Sequence, residues 1–257
     1  MIEILTYAFK SRRFWWFNAL SRTKARFRRT ILGSFWLGLS TVLSTACLAS
    51  VYQVIFKVED PLHFTLYIGF GLCFWNILST AISSSPTFFE SNRDSLNNTN
   101  MPIIFYLLQE WAFVVQSLLQ TFLMTFIAGV IVKPDIIFST AFFILPVFLF
   151  IITLFWLPAL ICIIGARFQD LYQLIPVGMT LLFLLSPLLY YEDRLGSIAW
   201  LAKFNPFYQS IAVIRDAILG IFPGWFEVLY LLSFNLAGLL SLSLVYKKLK
   251  LQLKFMV

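Results

Sequence analysis

Apolar residues run along this chain in long unbroken blocks, not at the three-to-four-residue spacing of a surface helix. Six blocks lack Asp, Glu, Lys and Arg over lengths that can cross a hydrocarbon core of about 30 Å, which takes about 20 helical residues. They predict spans at approximately 31–56, 63–85, 106–132, 137–164, 171–190 and 228–246. Transmembrane strands would be about 10 residues long and alternate in polarity, and these blocks do neither. The expected fold is an all-α integral membrane protein with six transmembrane helices in a single membrane domain over residues 1–257.

The segments between the blocks add three features. Residues 1–29 mix Phe14, Trp15, Phe17, Leu20 and Phe27 with cations at near-helical spacing, which predicts an N-terminal amphipathic interface helix. A simple topological anchor is the alternative, although eight cations exceed what orientation requires. The stretch 86–103 contains the one strongly polar run, Glu90–Asn100, bracketed by Pro86 and Pro102. Helix–helix links in bundles run about 2–8 residues, so this longer loop predicts a short helix lying across the membrane surface. Residues 192–227 are too long for a link and too apolar for an open loop. They predict a re-entrant helical hairpin between helices five and six: a piece near Ser197–Phe204, a break at Asn205-Pro206, then Phe207–Leu219 with Gly220 as stop. Non-helical backbone at membrane depth needs protein or a water-filled cavity around it, which places this hairpin beside a pathway.

Composition agrees: 60% of residues are hydrophobic and 12% charged, against about 45–50% and about 25% in soluble domains. The net charge of +7 therefore does not point to nucleic acid. It sets orientation instead. Lys10, Arg12, Arg13, Arg22, Lys24, Arg26, Arg28 and Arg29 precede the first span with only Glu3 opposing, and Lys247, Lys248, Lys250 and Lys254 follow the last. With Arg93 and Arg167 in the inner loops, fourteen cations lie on the side of the termini against five on the other. Both termini are expected in the cytoplasm, with no secretory leader.

The chemistry that is missing narrows function further. The sequence has no Gly-Lys pair and hence no phosphate-cradling loop of the Walker type. Its single histidine, His63, and three scattered cysteines, Cys47, Cys73 and Cys162, make no metal-ligand pattern. Glu110, at the start of the third span, is the only candidate for an ion-coupled carrier's intramembrane charge. No catalytic or metal residue and no cofactor is expected in this chain, and the energy for any transport must come from a partner. Arg167 and Asp170, three residues apart in the tight second inner loop, could pair on one helical turn.

The run Arg22-Thr-Lys-Ala-Arg26-Phe-Arg28-Arg29-Thr-Ile-Leu-Gly33-Ser-Phe-Trp36 resembles the start of the first span in permeases of ABC-2 type polysaccharide exporters, the family that exports O-antigen, capsule and teichoic acid chains. Four further passages match in order: Asn100-Met-Pro102, Ala166-Arg-Phe-Gln-Asp170-Leu, Leu185-Ser-Pro187-Leu-Leu-Tyr190, and Asn205-Pro206-Phe-Tyr208-Gln continuing to Arg215-Asp216-Ala-Ile-Leu-Gly220. The resemblance is nearer to the O-antigen branch than to capsule exporters.

It implies a permease that forms a homodimer in the bacterial inner membrane and binds two copies of a cytosolic ABC ATPase, which would carry ATP and magnesium. The substrate implied is a polysaccharide on undecaprenyl diphosphate. By the same analogy, residues 13–29 form a gate helix, 86–101 the main coupling helix, 165–171 a second ATPase contact and 192–226 the periplasmic gate. Candidate coupling residues are Glu90, Arg93, Asp94, Arg167 and Asp170, and Arg26, Arg28 and Arg29 would mark the lipid-carrier entrance. Gln169 departs from the charged residue expected in that second contact. Trp200, Phe204, Phe207 and Tyr208, clustered at the break, would lie nearest the sugar, whose apolar C–H faces can rest on aromatic rings. The aromatic content of 18% is high enough to line such a pathway and still supply the interfacial belts. An ABC-2 permease for a drug, lipid or other small substrate is the alternative. A membrane sugar transferase would need loop carboxylates or histidines that the chain lacks.

Overall fold

The structure, a computed structural model, describes residues 6–7, 10–98, 101–139 and 143–249. Glu3, Thr99, Asn100, Lys250, Lys254 and residues 140–142 of the fourth expected span lie outside them.

The described residues are helical, with no strand among them. An N-terminal helix, α1 (Arg12–Arg26), leads to α2 (Phe35–Phe56) and α3 (Pro61–Ser84). Two short helices follow, α4 (Phe88–Ser91) and α5 (Arg93–Asn98), and then α6 (Ile103–Val132). The single turn Ile136–Ser139 precedes α7 (Ile144–Gly165) and α8 (Leu171–Leu185). A 3-10 segment, Glu192–Ile198, opens onto α9 (Ala199–Phe204), α10 (Pro206–Ile218) and the last helix, α11 (Trp225–Leu249).

Five of these helices, α2, α3, α6, α7 and α11, are long and apolar enough to cross a membrane. The fifth expected span is shorter than the sequence pattern indicated. Its helix has 15 residues and ends at Leu185, not near residue 190. The chain breaks at Ser186-Pro187: the proline ring disfavours helical geometry in its predecessor, Ser186 takes an extended ψ of 132°, and the Asn205 amide bonds its hydroxyl. The polar loop holds two short helices where one was expected. The break at Asn205 and the stop at Gly220, whose φ is +91°, fall where the sequence placed them.

Helix α3 is the centre of the bundle. Within its apolar window 72% of residues are buried, against 17% for α2 and for α11, which present Leu43, Val54, Leu236 and Leu240 outward. Between apolar helices in lipid, hydrophobic driving force is weak, so close packing at small residues and a few polar contacts hold the bundle. Gly238 of α11 lies flat against the Trp156 indole of α7, and Gly38 of α2 receives Met124 of α6. Asp60 caps α3, accepting from the backbone N–H of His63 at 3.0 Å and of Leu62 at 3.2 Å. These backbone donors, His63 foremost, hold its carboxyl below the ordinary aspartate value.

Buried Asn235 is the polar tie between α7 and α11. Its Oδ1 accepts from the Trp156 indole N–H and the Thr153 hydroxyl, both at 3.0 Å, while its Nδ2 donates to Leu231 O at 2.9 Å. Asn235→Ala is expected to orphan the Trp156 donor, since Thr153 keeps its own bond to Leu149 O. The cost is about 1–2 kcal/mol, read as a lower unfolding midpoint of the detergent-solubilised protein. An unchanged midpoint would mean that another acceptor reaches the indole.

Candidate functional site

Two regions at opposite ends of the bundle carry the chain's polar chemistry. At the end holding the loops 85–102 and 166–170, α1 does not lie apart from the helices. It packs along α6 through Trp15, Ala19 and Thr23, one residue per turn and all buried. Trp15 meets Trp111 at 5.8 Å between ring centroids, and Gln116 Nε2 donates to Trp16 O at 3.3 Å. Arg22 forms an ion pair with Glu110 and lies 4.7 Å above the Phe113 ring. The outer face of α1 carries Phe14 and Phe17 exposed, together with the cations.

Helix α4 turns two phenylalanines, Phe88 and Phe89, into the same apolar cluster that holds Trp15 and Ala19 of α1 and Ala159 and Ile163 of α7. Its other side exposes Glu90, and α5 exposes Arg93 and Asp94. Tyr106 O–H donates to Ser95 O at 3.0 Å, fastening α5 to the start of α6. Between α1, α3, α4, α6 and α7 lies a cleft of ≈ 100 Å³ whose polar lining includes Arg22, Glu110, Ser84, Ser91 and Asn92. The loop after α7 is packed against the loop after α3, because Gly165 at the end of α7 faces the backbone of Pro86. Arg167 and Asp170 are both exposed and form no ion pair among the described residues. The Arg167 guanidinium lies 5.7 Å over the Phe168 ring instead, and Asp170 sits at the N-terminus of α8, where the helix dipole favours a carboxylate.

At the opposite end the chain is tied around one buried cation. Asn205 caps α10, its Oδ1 accepting from the N–H groups of Phe207 at 3.0 Å and Tyr208 at 3.3 Å. Its Nδ2 donates to the Ser186 hydroxyl at 3.0 Å, tying the break before α10 to the break after α8. One face of α10 then buries Tyr208, Ile211, Ile214 and Arg215. The Arg215 guanidinium stacks 3.6 Å from the centroid of Tyr67, a residue of α3. It donates to Pro187 O at 3.4 Å and the Tyr208 hydroxyl at 3.3 Å, and pairs with Asp216 at 2.9 Å. Tyr67 O–H donates to Pro187 O at 2.8 Å. A charge buried this deeply requires such partners.

A family model described as ABC-2 type transporter matches residues 15–219. This chain belongs to the ABC-2 transporter family. The matched range runs from the inward stripe of α1 to the end of α10, so it takes in both regions of the permease. Two proteins of Klebsiella pneumoniae, each named O-antigen export system permease protein RfbA, are similar along most of their length. One is 21% identical over 234 residues, covering 88% of each chain. The other is 20% identical over 198 residues, covering 75% of each.

The residues singled out from sequence fall into place unevenly in this permease. Glu90, Arg93, Asp94, Arg167 and Asp170 are all exposed on the loops after α3 and α7, which the Gly165–Pro86 contact brings together. Arg26, Arg28 and Arg29 are exposed at the end of α1 and in the turn after it. The four aromatic residues at the break divide. Trp200 and Phe204 are 56% and 73% exposed, whereas Tyr208 is buried against Arg215 and Phe207 meets Phe234 edge-on. Two groups were missed: the Arg22–Glu110 pair, whose members are 88 residues apart, and the Tyr67–Arg215–Pro187 knot. For Arg215 a signal exists, a lone cation directly after the apolar run Ile211–Ile214.

Proposed function

We propose that this chain is the membrane half of an ATP-driven exporter moving an undecaprenyl-diphosphate-linked, O-antigen-like polysaccharide across a bacterial inner membrane. The observation that carries this reading is the similarity, sustained over 88% of both chains, to a permease named for O-antigen export. Two copies of the chain pair in the membrane with both termini in the cytoplasm, and two copies of a separate ABC ATPase supply the energy. Glu90, Arg93 and Asp94, with Arg167 and Asp170, meet the ATPase. Its motion passes through Phe88 and Phe89 to α1, because these residues share one apolar cluster with Trp15 and Ala19. Arg26, Arg28 and Arg29 attract the diphosphate of the carrier, each cation near an anionic surface contributing about 1 kcal/mol. The glycan leaves beside the break at Asn205, past Trp200, Phe204, Phe207 and Tyr208.

The test is genetic and chemical. Deleting the gene is expected to abolish surface polysaccharide while lipid-linked glycan accumulates inside the cell, and complementation restores export. Unchanged surface glycan in the deletion strain refutes the reading.

The coupling assignment has its own measurement. Replacing both Glu90 and Arg93 with alanine removes two exposed charges, each worth about 0.2–1 kcal/mol in a rim contact. ATPase binding to the detergent-purified permease is expected to weaken by about tenfold, with the permease's own unfolding midpoint unchanged. Equal binding places the contact elsewhere.

A further inference from the structure

At the end of the bundle opposite the loops after α3 and α7, a cavity of ≈ 380 Å³ opens between the 3-10 segment, α9, α10 and the first turns of α11. That volume lies in the range of small-molecule sites, about 300–1,000 Å³. The structure assigns this cavity as a binding site for one residue of an uncharged sugar chain; of the four aromatic residues at the break only Tyr208 lines it, and the assignment rests on the glycan-export reading above.

The argument starts from the groups at its wall. Glu192, Lys203, Gln209, Asp216, Glu227 and Tyr230 bring carboxylate, ammonium, amide and phenol together around one space. Their hydrogen-bonding capacity is only partly used. Asp216 accepts from Arg215 through one oxygen, Glu227 Oε2 accepts from Gly224 N–H at 3.1 Å, and Tyr230 O–H donates to Phe204 O at 3.1 Å. Gln209 Nε2 makes only a long 3.5 Å contact to Ala202 O, and Glu192 and Lys203 form no ion pair among the described residues. Ionised carboxylates each hold about four acceptor sites, so acceptors remain in excess. A ligand that donates several hydrogen bonds and accepts a few matches this inventory, which is the pattern of sugar hydroxyls.

The other requirement of a sugar is an apolar face for its C–H side. Phe226 lines the cavity and is 89% exposed, so the ring is free to cover a pyranose. Metal binding is the competing use of carboxylates, but no group of three or more His, Cys, Asp or Glu among the described residues has the spacing of a metal site.

Charge then selects among sugars. Asp216 is already neutralised by Arg215, which leaves Glu192 and Glu227 against Lys203 and one negative charge in excess. A uronic acid or phosphorylated sugar would set like charges face to face in a confined space. The site therefore takes neutral sugars and disfavours acidic ones.

Titration of the full chain in nanodiscs, followed by the fluorescence of the nearby exposed Trp225 and Trp200, tests this with two defined probes. These are N,N′,N″-triacetylchitotriose, which is neutral, and trigalacturonate, which is acidic. The neutral probe is expected to bind at least tenfold more tightly than the acidic one. Phe226→Ala is expected to weaken the neutral probe about tenfold. Glu192→Gln with Glu227→Gln is expected to shrink the preference for the neutral probe. These side chains are at the surface of the cavity, so an unchanged unfolding midpoint accompanies each variant. Absence of neutral-probe binding overturns the site, as does binding that neither change affects. Loss of surface polysaccharide on gene deletion is scored separately, so the site can fail while the export reading stands.

Discussion

Arg215→Ala is expected to release α10 from the bundle. The guanidinium holds three elements at once: α3 through the Tyr67 ring, the chain after α8 through Pro187 O, and its own helix through Tyr208. Removing one member of a buried charged constellation costs about 3–5 kcal/mol. The lower end applies here, because Asp216 keeps 35% of its side chain exposed and water can serve it once Arg215 is gone. Against a total stability of about 5–15 kcal/mol, a loss of about 3 kcal/mol is large. The unfolding midpoint should fall clearly, and cysteines placed singly at 205–208, in a background without Cys47, Cys73 and Cys162, should become open to an impermeant thiol reagent. Arg215→Lys is expected to rescue little, since a point charge cannot both stack on Tyr67 and reach two separate oxygens as a planar fork does. An alanine variant with unaltered melting and labelling would show that α10 is held by its apolar face alone.

Gly165→Ala should strike export harder than stability. In most helix positions the change gains about 1 kcal/mol of propensity. Here the new Cβ would stand 2.8 Å from Pro86 Cα and 3.0 Å from Pro86 O, which are backbone atoms that cannot swing aside. Overpacking of this kind costs about 1–3 kcal/mol, so the net change is a loss of about 1 kcal/mol. Its larger effect is geometric, because the added Cβ forces apart the two loops that meet the ATPase in the proposed function. Export in complemented cells is expected to fall several-fold while ATPase still binds. Gly178→Ala is the control, for nothing lies within 4 Å of its added Cβ, and it should be neutral or slightly stabilising. Equal export in both variants would remove the mechanical role of the Gly165 contact.

The long apolar helices were legible because charge is costly in lipid, and its absence marks them directly. The same criterion misjudged α8, since Ser186-Pro187 ends a helix without interrupting an apolar run. Proline alone does not decide the matter either: Pro158 and Pro176 lie inside α7 and α8. What differs at Ser186 is a partner 19 residues on, the Asn205 amide, which stabilises the broken chain. The capped start of α10 was readable from Asn205-Pro206, a local signal. The burial of Arg215 was not, because its partners come from α3 and from the segment after α8. The orientation of the four aromatic residues also escaped local reading. The non-helical backbone at Asn205 turns Trp200 and Phe204 to one environment and Phe207 and Tyr208 to another. Likewise the inward stripe of α1 became visible only against α6, although the residue types for an amphipathic helix were plain.

The short α8 makes the surrounding lipid part of this machine. Fifteen residues rise about 22 Å, whereas α6, with 30, rises about 45 Å. If α8 crosses as the sequence pattern predicts, the flank it forms fits a thinner film than the flank formed by α6. Acyl chains beside α8 would then be expected to compress or tilt, at fractions of a kcal/mol per ångström, on the flank that holds the break at Ser186. Acyl-chain length is then expected to act on the permease much as an effector would, with short chains relaxing the flank that borders α10 and long chains loading it.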